Sequence, residues 1–152
     1  MRETIQSSLK AALKAGQAKE LSTLRLITAA LKDRDIAARS KGNNDGISDD
    51  EILSMLQTMI KQRQESSKMY RDGGREELAQ SEDEEIAIIR TFLPAQMDDA
   101  AIADAITAAI AESGAESIKD MGKVMGVLKT KYAGQMDFGA ASGQIKARLL
   151  GQ

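Results

Sequence analysis

Residues 47–60 have the sequence ISDDEILSMLQTMI, which carries a helix start followed by a helical apolar pattern. Ser48 is placed to accept a hydrogen bond from the main chain of Glu51, and the Glu51 side chain completes a capping box. Ile47 and Ile52 flank the cap as a hydrophobic staple. Apolar residues then recur at spacings of three and four: Met55, Leu56, Met59 and Ile60. This stretch predicts an amphipathic helix, and it sets the fold class expected for the chain.

Three more helices are predicted around this one in the first part of the chain. The first carries Ile5, Leu9 and Leu13 and stops at Gly16. The second carries Leu21, Leu24, Leu26, Ile27, Thr28 and Leu31, fades near Ser40 and is followed by a loop over residues 41–46. The helix that starts at Ser48 ends at Gly73-Gly74. The fourth runs over about residues 75–92 and directs Leu78, Ile86, Ile89 and Leu93 towards the core.

The segment Leu93-Pro94-Ala95-Gln96 is the predicted domain boundary, since proline disfavours helical geometry in the residue before it. Three shorter helices follow. Asp98 caps the first, which has the stripe Ile102, Ile106 and Ile110 and stops at Gly114. The second spans about residues 117–132, and Asp137 caps the third, which buries Ala141, Ile145 and Leu149. We therefore predict an all-α protein with a four-helix N-terminal domain, residues 1–95, and a three-helix tail domain, residues 96–152.

The composition agrees with a globular helical protein. Hydrophobic residues make up 42% of the chain and charged residues 29%, whereas aromatic residues are only 3% and there is one proline. Leu, Ile, Ala and Met build such a core, and they favour helices over sheets. The absence of cysteine, of a signal-peptide apolar segment and of a run long enough to span a membrane predicts a cytoplasmic protein without membrane contact.

Catalytic chemistry is not expected. The chain has no His and no Cys, which excludes Ser-His and Cys-His pairs and ordinary zinc sites. No phosphate-binding glycine loop is present, and the loop before Ser48 lacks the calcium ligands of an EF-hand. Two alternatives stay open: a divalent ion on the acidic run of residues 82–85, and a nucleophile-base pair in Ser66-Ser67-Lys68. We favour a solvated acidic face for the first and no role for the second, and predict no catalytic residue, metal or cofactor.

The charges of the tail domain are unevenly distributed. Residues 97–116 contain five acidic residues and no basic one, whereas residues 117–152 contain six basic residues against two acidic ones. On a helical wheel over residues 117–132, one side carries Met121, Val124, Met125, Leu128 and Tyr132. The opposite side, an arc of about 120°, carries Lys119, Gly122, Lys123, Gly126 and Lys129.

These five residues of the opposite side are the predicted nucleic-acid-binding residues. Two glycines on an outward face, with lysines beside them, let a polyanion approach the main chain closely. A contact with another protein and no role at all are the alternatives. Because aromatic residues are scarce, a structured RNA is expected rather than a single strand.

A secondary basic patch is predicted in the N-terminal domain. Its members are Arg25, Lys32, Lys61, Arg63, Lys68 and Arg75. The competing interpretation, which we favour, is that such residues form ion pairs between neighbouring antiparallel helices.

Four segments, taken in order, resemble the GatB/Yqey family across nearly the whole chain. They are LSTLRLITAALK at residues 21–32, KQRQESSKMYRDGGREELAQSEDEE at 61–85, FLP at 92–94 and DMGKVMG at 120–126. This family comprises stand-alone relatives of the C-terminal region of GatB, a component of the glutamine-dependent aspartyl/glutamyl-tRNA amidotransferase. One departure is Phe138, where relatives often have glycine, and it bears on the start of the last helix.

The resemblance implies a non-catalytic tRNA-binding module whose tail contacts tRNA through the segment of Gly122, Lys123 and Gly126. The alternative is an accessory component of a glutamine-dependent amidotransferase, a carbon-nitrogen ligase with glutamine as amido-N-donor. That alternative predicts amidotransferase or aminoacyl-tRNA synthetase subunits as partners. A third hypothesis is a protein-interaction adaptor that ignores RNA. The glutaminase and kinase domains of the amidotransferase are missing from this chain, so the resemblance itself implies no activity.

Overall fold

The computed structural model describes residues 1–151, which form seven α-helices and one 3-10 turn with no β-strand among them. The predicted all-α fold is confirmed. The chain divides into two compact units, Met1–Leu93 and Pro94–Gln152, called here the first and the second unit. Whether each unit folds as an independent domain stays a prediction. No helix within the described range is long and apolar enough to cross a membrane.

The first unit contains four helices: α1 (Arg2–Ala15), α2 (Ala18–Arg39), α3 (Asp49–Asp72) and α4 (Glu76–Arg90). Its helix signals act as predicted. Gly16 ends α1 in the left-handed conformation. The Ser48 hydroxyl accepts the Glu51 N–H at 3.2 Å, and the Glu51 carboxylate accepts the Ser48 N–H at 2.7 Å. Ile47 and Ile52 are both buried beside this capping box, so the start of α3 is fixed by local contacts.

The core of the first unit collects residues from all four helices. Its fully buried side chains include Ile5, Leu24, Ile27, Ile52, Leu56 and Ile89. Three leucines predicted to face this core are exposed instead: Leu13 (60% exposed), Leu26 (45%) and Leu78 (36%). The neighbouring Ala12, Ile27 and Ala79 take the buried positions. Ala12 and Ala79 are small, and small side chains let neighbouring helices approach closely. The apolar stripe expected from the sequence is therefore wider than the helix face that is buried.

The beginning of α1 is joined to the α2–α3 loop by a polar clamp of Arg2, Asp35 and Ile47. The Arg2 guanidinium donates two hydrogen bonds of 2.7 Å to the Asp35 carboxylate and one of 2.9 Å to the Ile47 carbonyl oxygen. Asp35 also accepts the Ile47 N–H at 2.9 Å. Gly46 lies against the clamp with φ +88°, and an added Cβ there would be 2.6 Å from Arg2 Nη2. The loop therefore requires glycine at this position both for its backbone angle and for space.

The second unit contains α5 (Asp99–Ser113), a 3-10 turn (Ile118–Asp120), α6 (Met121–Tyr132) and α7 (Phe138–Leu150). Asp98 caps α5 through the Ala101 N–H at 2.7 Å, and Asp137 caps α7 through the Gly139 N–H at 2.8 Å, as predicted. Phe138 begins α7 and packs against the core of this unit, so it does not disturb the helix start. The small core includes five completely buried side chains: Ile106, Val124, Leu128, Ala141 and Ile145.

Candidate nucleic-acid interface

Helix α6 is held in the second unit by one apolar side. Val124 and Leu128 are completely buried on this side. Met121, Met125 and Tyr132 are half-buried and pack against the same core. The opposite side of α6 is consequently left on the surface, as the helical wheel predicts.

The surface side of α6 presents Gly122, Lys123, Gly126 and Lys129, all of them exposed. The two glycines have no packing function, because an added Cβ at either position would meet no atom within 4 Å. A glycine in a helix interior costs roughly 1 kcal/mol relative to alanine. The main chain of α6 is thus open to an approaching molecule at two positions one turn apart.

Lys119 is also exposed, but it lies in the 3-10 turn before α6 and not in an α-helix running from residue 117. The turn forms because the Asp120 carboxylate accepts the N–H groups of Glu116 at 3.1 Å and Ser117 at 3.2 Å. These backbone hydrogen bonds, first that of Glu116, lower the pKa of Asp120. A 3-10 turn advances about 20° more per residue than an α-helix, so the wheel misplaces Lys119 by a few tens of degrees.

The six basic side chains of the second unit differ in whether they have partners. Lys131 forms an ion pair with Glu112, which raises the pKa of Lys131, and Arg148 donates to the Thr107 hydroxyl. The Lys123 Nζ atom lies 3.5 Å from Asp120 Oδ1, and the Lys123 side chain is 70% exposed. The positive charges that remain available to a phosphate are therefore mainly those of the lysines beside Gly122 and Gly126, together with that of Lys146 on α7. Four of the basic residues have no carboxylate partner within residues 1–151: Lys119, Lys129, Lys146 and Arg148.

A model of the Yqey-like protein family matches residues 2–149. The chain belongs to this family. Yqey-like sequences occur both in the C-terminal region of GatB and as stand-alone proteins. No curated protein matches the chain.

Lys146 of this Yqey-like chain is missing from the predicted site. It is exposed on α7, and the wheel of a single helix cannot include it. Lys146 is one of the six basic residues in residues 117–152, so the excess of positive charge in this segment already points to it. The sequence predicts α6 and α7 in one tail domain, but it does not show how the two helices pack against each other.

The secondary basic patch is spread over two helices of the Yqey-like first unit and the start of a third. Arg63 is half-buried and donates to the Glu85 carboxylate at 2.7 Å, while Lys19 reaches the same carboxylate at 3.5 Å. This contact supports the ion-pair interpretation for Arg63, whose guanidinium is therefore not available to a phosphate. The remaining five members are exposed: Arg25 and Lys32 on α2, Lys61 and Lys68 on α3, and Arg75 before α4.

The two catalytic alternatives receive no support from the geometry of the first unit. Ser67 is buried, and its hydroxyl donates to Asp83 at 2.8 Å and accepts from Arg71 at 2.9 Å. The Arg71 guanidinium, which also pairs with Asp83, lowers the pKa of that carboxyl. Ser67 thus joins α3 to α4 and has no access to a substrate. Within residues 1–151, acidic residues form no group arranged to hold a metal ion.

Replacing Gly126 by alanine is expected to raise the free energy of unfolding of the second unit by about 1 kcal/mol. The methyl group enters open space in the middle of α6, so only the helix propensity changes. Urea unfolding followed by circular dichroism measures the effect. Gly114→Ala is the matched control, because Gly114 has φ +64° and alanine there should destabilise instead. A loss of stability in Gly126→Ala would mean that a packed neighbour requires this glycine.

Proposed function

We propose that this chain is a non-catalytic tRNA-binding module. The interface is the exposed side of α6 together with the 3-10 turn before it, in which Lys119, Lys123 and Lys129 neutralise phosphates. Gly122 and Gly126 let the RNA backbone come close to the helix main chain. The observation that carries the proposal is the combination of open glycines and exposed lysines on one side of α6.

Structured RNA is the preferred ligand class for two reasons. The chain has two Tyr, two Phe and no Trp, and Tyr132 and Phe138 both pack on the core of the second unit, so few rings are left for stacking on single-stranded bases. The exposed side of α6 is convex, and its two glycines leave the helix main chain accessible. Such a surface suits contacts to phosphates and 2′-hydroxyls in the shallow minor groove of an RNA helix. Among structured RNAs we propose tRNA, and membership of a family that also occurs in the C-terminal region of GatB supports this proposal.

The test is the binding of total tRNA, compared with duplex DNA, at about 50 and 200 mM salt. Wild type should bind tRNA more tightly than DNA and lose affinity steeply with salt. A Lys119→Glu/Lys123→Glu variant should weaken binding at least about tenfold and reduce the slope of log affinity against log salt by about 2. Lys10→Glu/Lys14→Glu is the control, because it makes the same charge change on the exposed side of α1, outside the secondary basic patch.

Two results would contradict the proposal. One is the absence of tRNA binding in wild type at the lower salt concentration. The other is an equal loss in the Lys119→Glu/Lys123→Glu variant and the α1 control, which would mean that only the net charge matters. Association with amidotransferase or synthetase subunits without RNA would instead favour the accessory role.

A further inference from the structure

The outward face of α2 has the residue pattern of a helix that packs side by side with another helix. Its line of central positions, in the a and d register of a heptad, contains Ser22, Leu26, Ala29, Asp33 and Ile36. All five are exposed, and Leu26 and Ile36 are 45% and 52% exposed. The buried side of the same helix is complete without them, since Leu24, Ile27 and Leu31 fill the core. Helix α2 therefore has two apolar faces, one of which has no partner in the first unit.

One edge of this outward face is basic. Arg25, Lys32 and Arg39 follow one another at intervals of seven residues and all occupy the g position beside the central line. All three are exposed, and none has a carboxylate partner in the described part of the chain. The nearest carboxylate along the helix from Arg39 is that of Asp35, which Arg2 holds in the clamp. The other edge, at the e position, carries the small residues Ala30 and Ala37, and the exposed Arg34 lies beside them.

We propose that this face of α2 docks an amphipathic helix of another protein, one with an apolar stripe and a row of carboxylates along one edge. The apolar stripe of that helix would bury the exposed surfaces of Leu26 and Ile36, which favours binding. The row of carboxylates would face Arg25, Lys32 and Arg39, which is the way flanking positions select a partner in paired helices. Asp33 lies in the central line and requires a polar or basic group opposite it on the partner helix. This requirement fixes the register, that is, the position of one helix along the other.

A second copy of this chain does not fit as the occupant. In an antiparallel pair of α2 helices the g positions of the two copies meet, which brings like charges together. In a parallel pair the g positions meet the edge of Ala30 and Ala37, where the neighbouring charge is that of Arg34, and the cations gain no partner. The charge pattern thus favours an acidic partner over self-association.

RNA does not fit this face well either. Phosphates gain nothing from Leu26 and Ile36, and the exposed carboxylate of Asp33 repels them. This surface uses none of the residues of the α6 interface, so it adds a protein contact to the proposed RNA-binding function and does not depend on it.

The test uses two synthetic, fluorescein-labelled peptides of four heptads with Leu at the a and d positions, except for one Asn at a central a position to meet Asp33. One peptide carries Glu at every e and g position and the other carries Lys, so that each repels itself and stays monomeric. Fluorescence anisotropy with the full chain at low salt should show at least about tenfold tighter binding of the Glu peptide, since three favourable pairs replace three unfavourable ones.

Two variants separate the apolar from the charged contribution. Leu26→Gln/Ile36→Gln should abolish binding of the Glu peptide. Arg25→Glu/Lys32→Glu should reverse the preference towards the Lys peptide. Met69→Gln is the control, because Met69 is an apolar side chain on α3 with 73% exposure, and its replacement should change nothing. Thermal unfolding curves confirm that each variant is folded.

Three outcomes would overturn the inference. The first is that neither peptide binds, and the second is that both bind equally. The third is that Arg25→Glu/Lys32→Glu weakens tRNA binding, while Leu26→Gln/Ile36→Gln affects neither tRNA nor peptide. This last result would assign the basic edge of α2 to RNA.

Discussion

An Asp35→Ala variant is expected to lose about 3 kcal/mol of unfolding free energy in the first unit. Asp35 accepts two hydrogen bonds from Arg2 and one from the Ile47 N–H, at 2.7, 2.7 and 2.9 Å. Its side chain is 20% exposed and that of Arg2 is 33% exposed, so water only partly replaces the lost contacts. The variant leaves a guanidinium and an amide without their acceptor and releases the loop that leads into α3.

The same carboxylate gives the first unit a pH-dependent stability. The hydrogen bonds from Arg2, followed by that from Ile47, lower the pKa of Asp35 from 3.8 to about 2. Because the folded pKa lies below the unfolded one, the stabilisation is complete above pH 3.8 and is lost as the pH falls towards 2. Wild type should therefore lose stability more steeply than Asp35→Ala over this interval.

Urea unfolding at neutral pH and at about pH 3 measures both effects. Asp33→Ala is the matched control, since Asp33 is an exposed aspartate on the same helix and has no place in the clamp. Arg2→Ala should cost nearly as much as Asp35→Ala, and the double variant little more than either one. Additive costs, or identical pH profiles for wild type and Asp35→Ala, would show that the clamp does not stabilise the fold.

A Leu128→Ala variant is expected to unfold the second unit and leave the first intact. Leu128 is completely buried in α6, and such a truncation costs about 3 kcal/mol. The second unit has a small core and consequently a small stability to lose. Selective loss of the second unit is the result expected if the two units are independent domains, which we propose.

Hydrogen exchange followed by peptide mass spectrometry resolves the two units. In Leu128→Ala the amides of residues 99–150 should lose protection, and those of residues 2–90 should keep it. Leu150→Ala is the control, because Leu150 is a leucine of the same unit with 62% exposure. Simultaneous loss of protection in both units would show that they unfold as one cooperative body. Loss of tRNA binding in Leu128→Ala is expected as well, since α6 carries the proposed interface.

The parts of the fold that depend on local contacts are predictable from the sequence. Ser48, Asp98 and Asp137 each cap a helix through a main-chain N–H within three residues, so the signal and the contact lie in the same short segment. Gly16 and Gly114 end helices for the same local reason. The exposed side of α6 is also predictable, because the buried side follows from apolar spacing alone.

Long-range contacts are the part that the sequence does not disclose. Nothing around Arg2 indicates that its partners are 33 and 45 residues away. The ion pair of Arg63 with α4 agrees with the favoured interpretation of the sequence, but only the tertiary structure shows that the partner is Glu85. Leu13 matches a helical stripe, and only the packing of neighbouring helices decides that Ala12 is buried instead. The partners of the charged residues of a candidate site therefore require the tertiary structure.

The packing of Tyr132 against the core at the end of α6 provides an intrinsic optical probe of the second unit. The chain has no Trp and two Tyr, and the other one, Tyr70, is half-buried in α3 of the first unit. A Tyr70→Phe protein emits ultraviolet fluorescence from Tyr132 alone, and a Tyr132→Phe protein from Tyr70 alone. Each half of the molecule can thus be observed separately during titration or unfolding, without any attached dye.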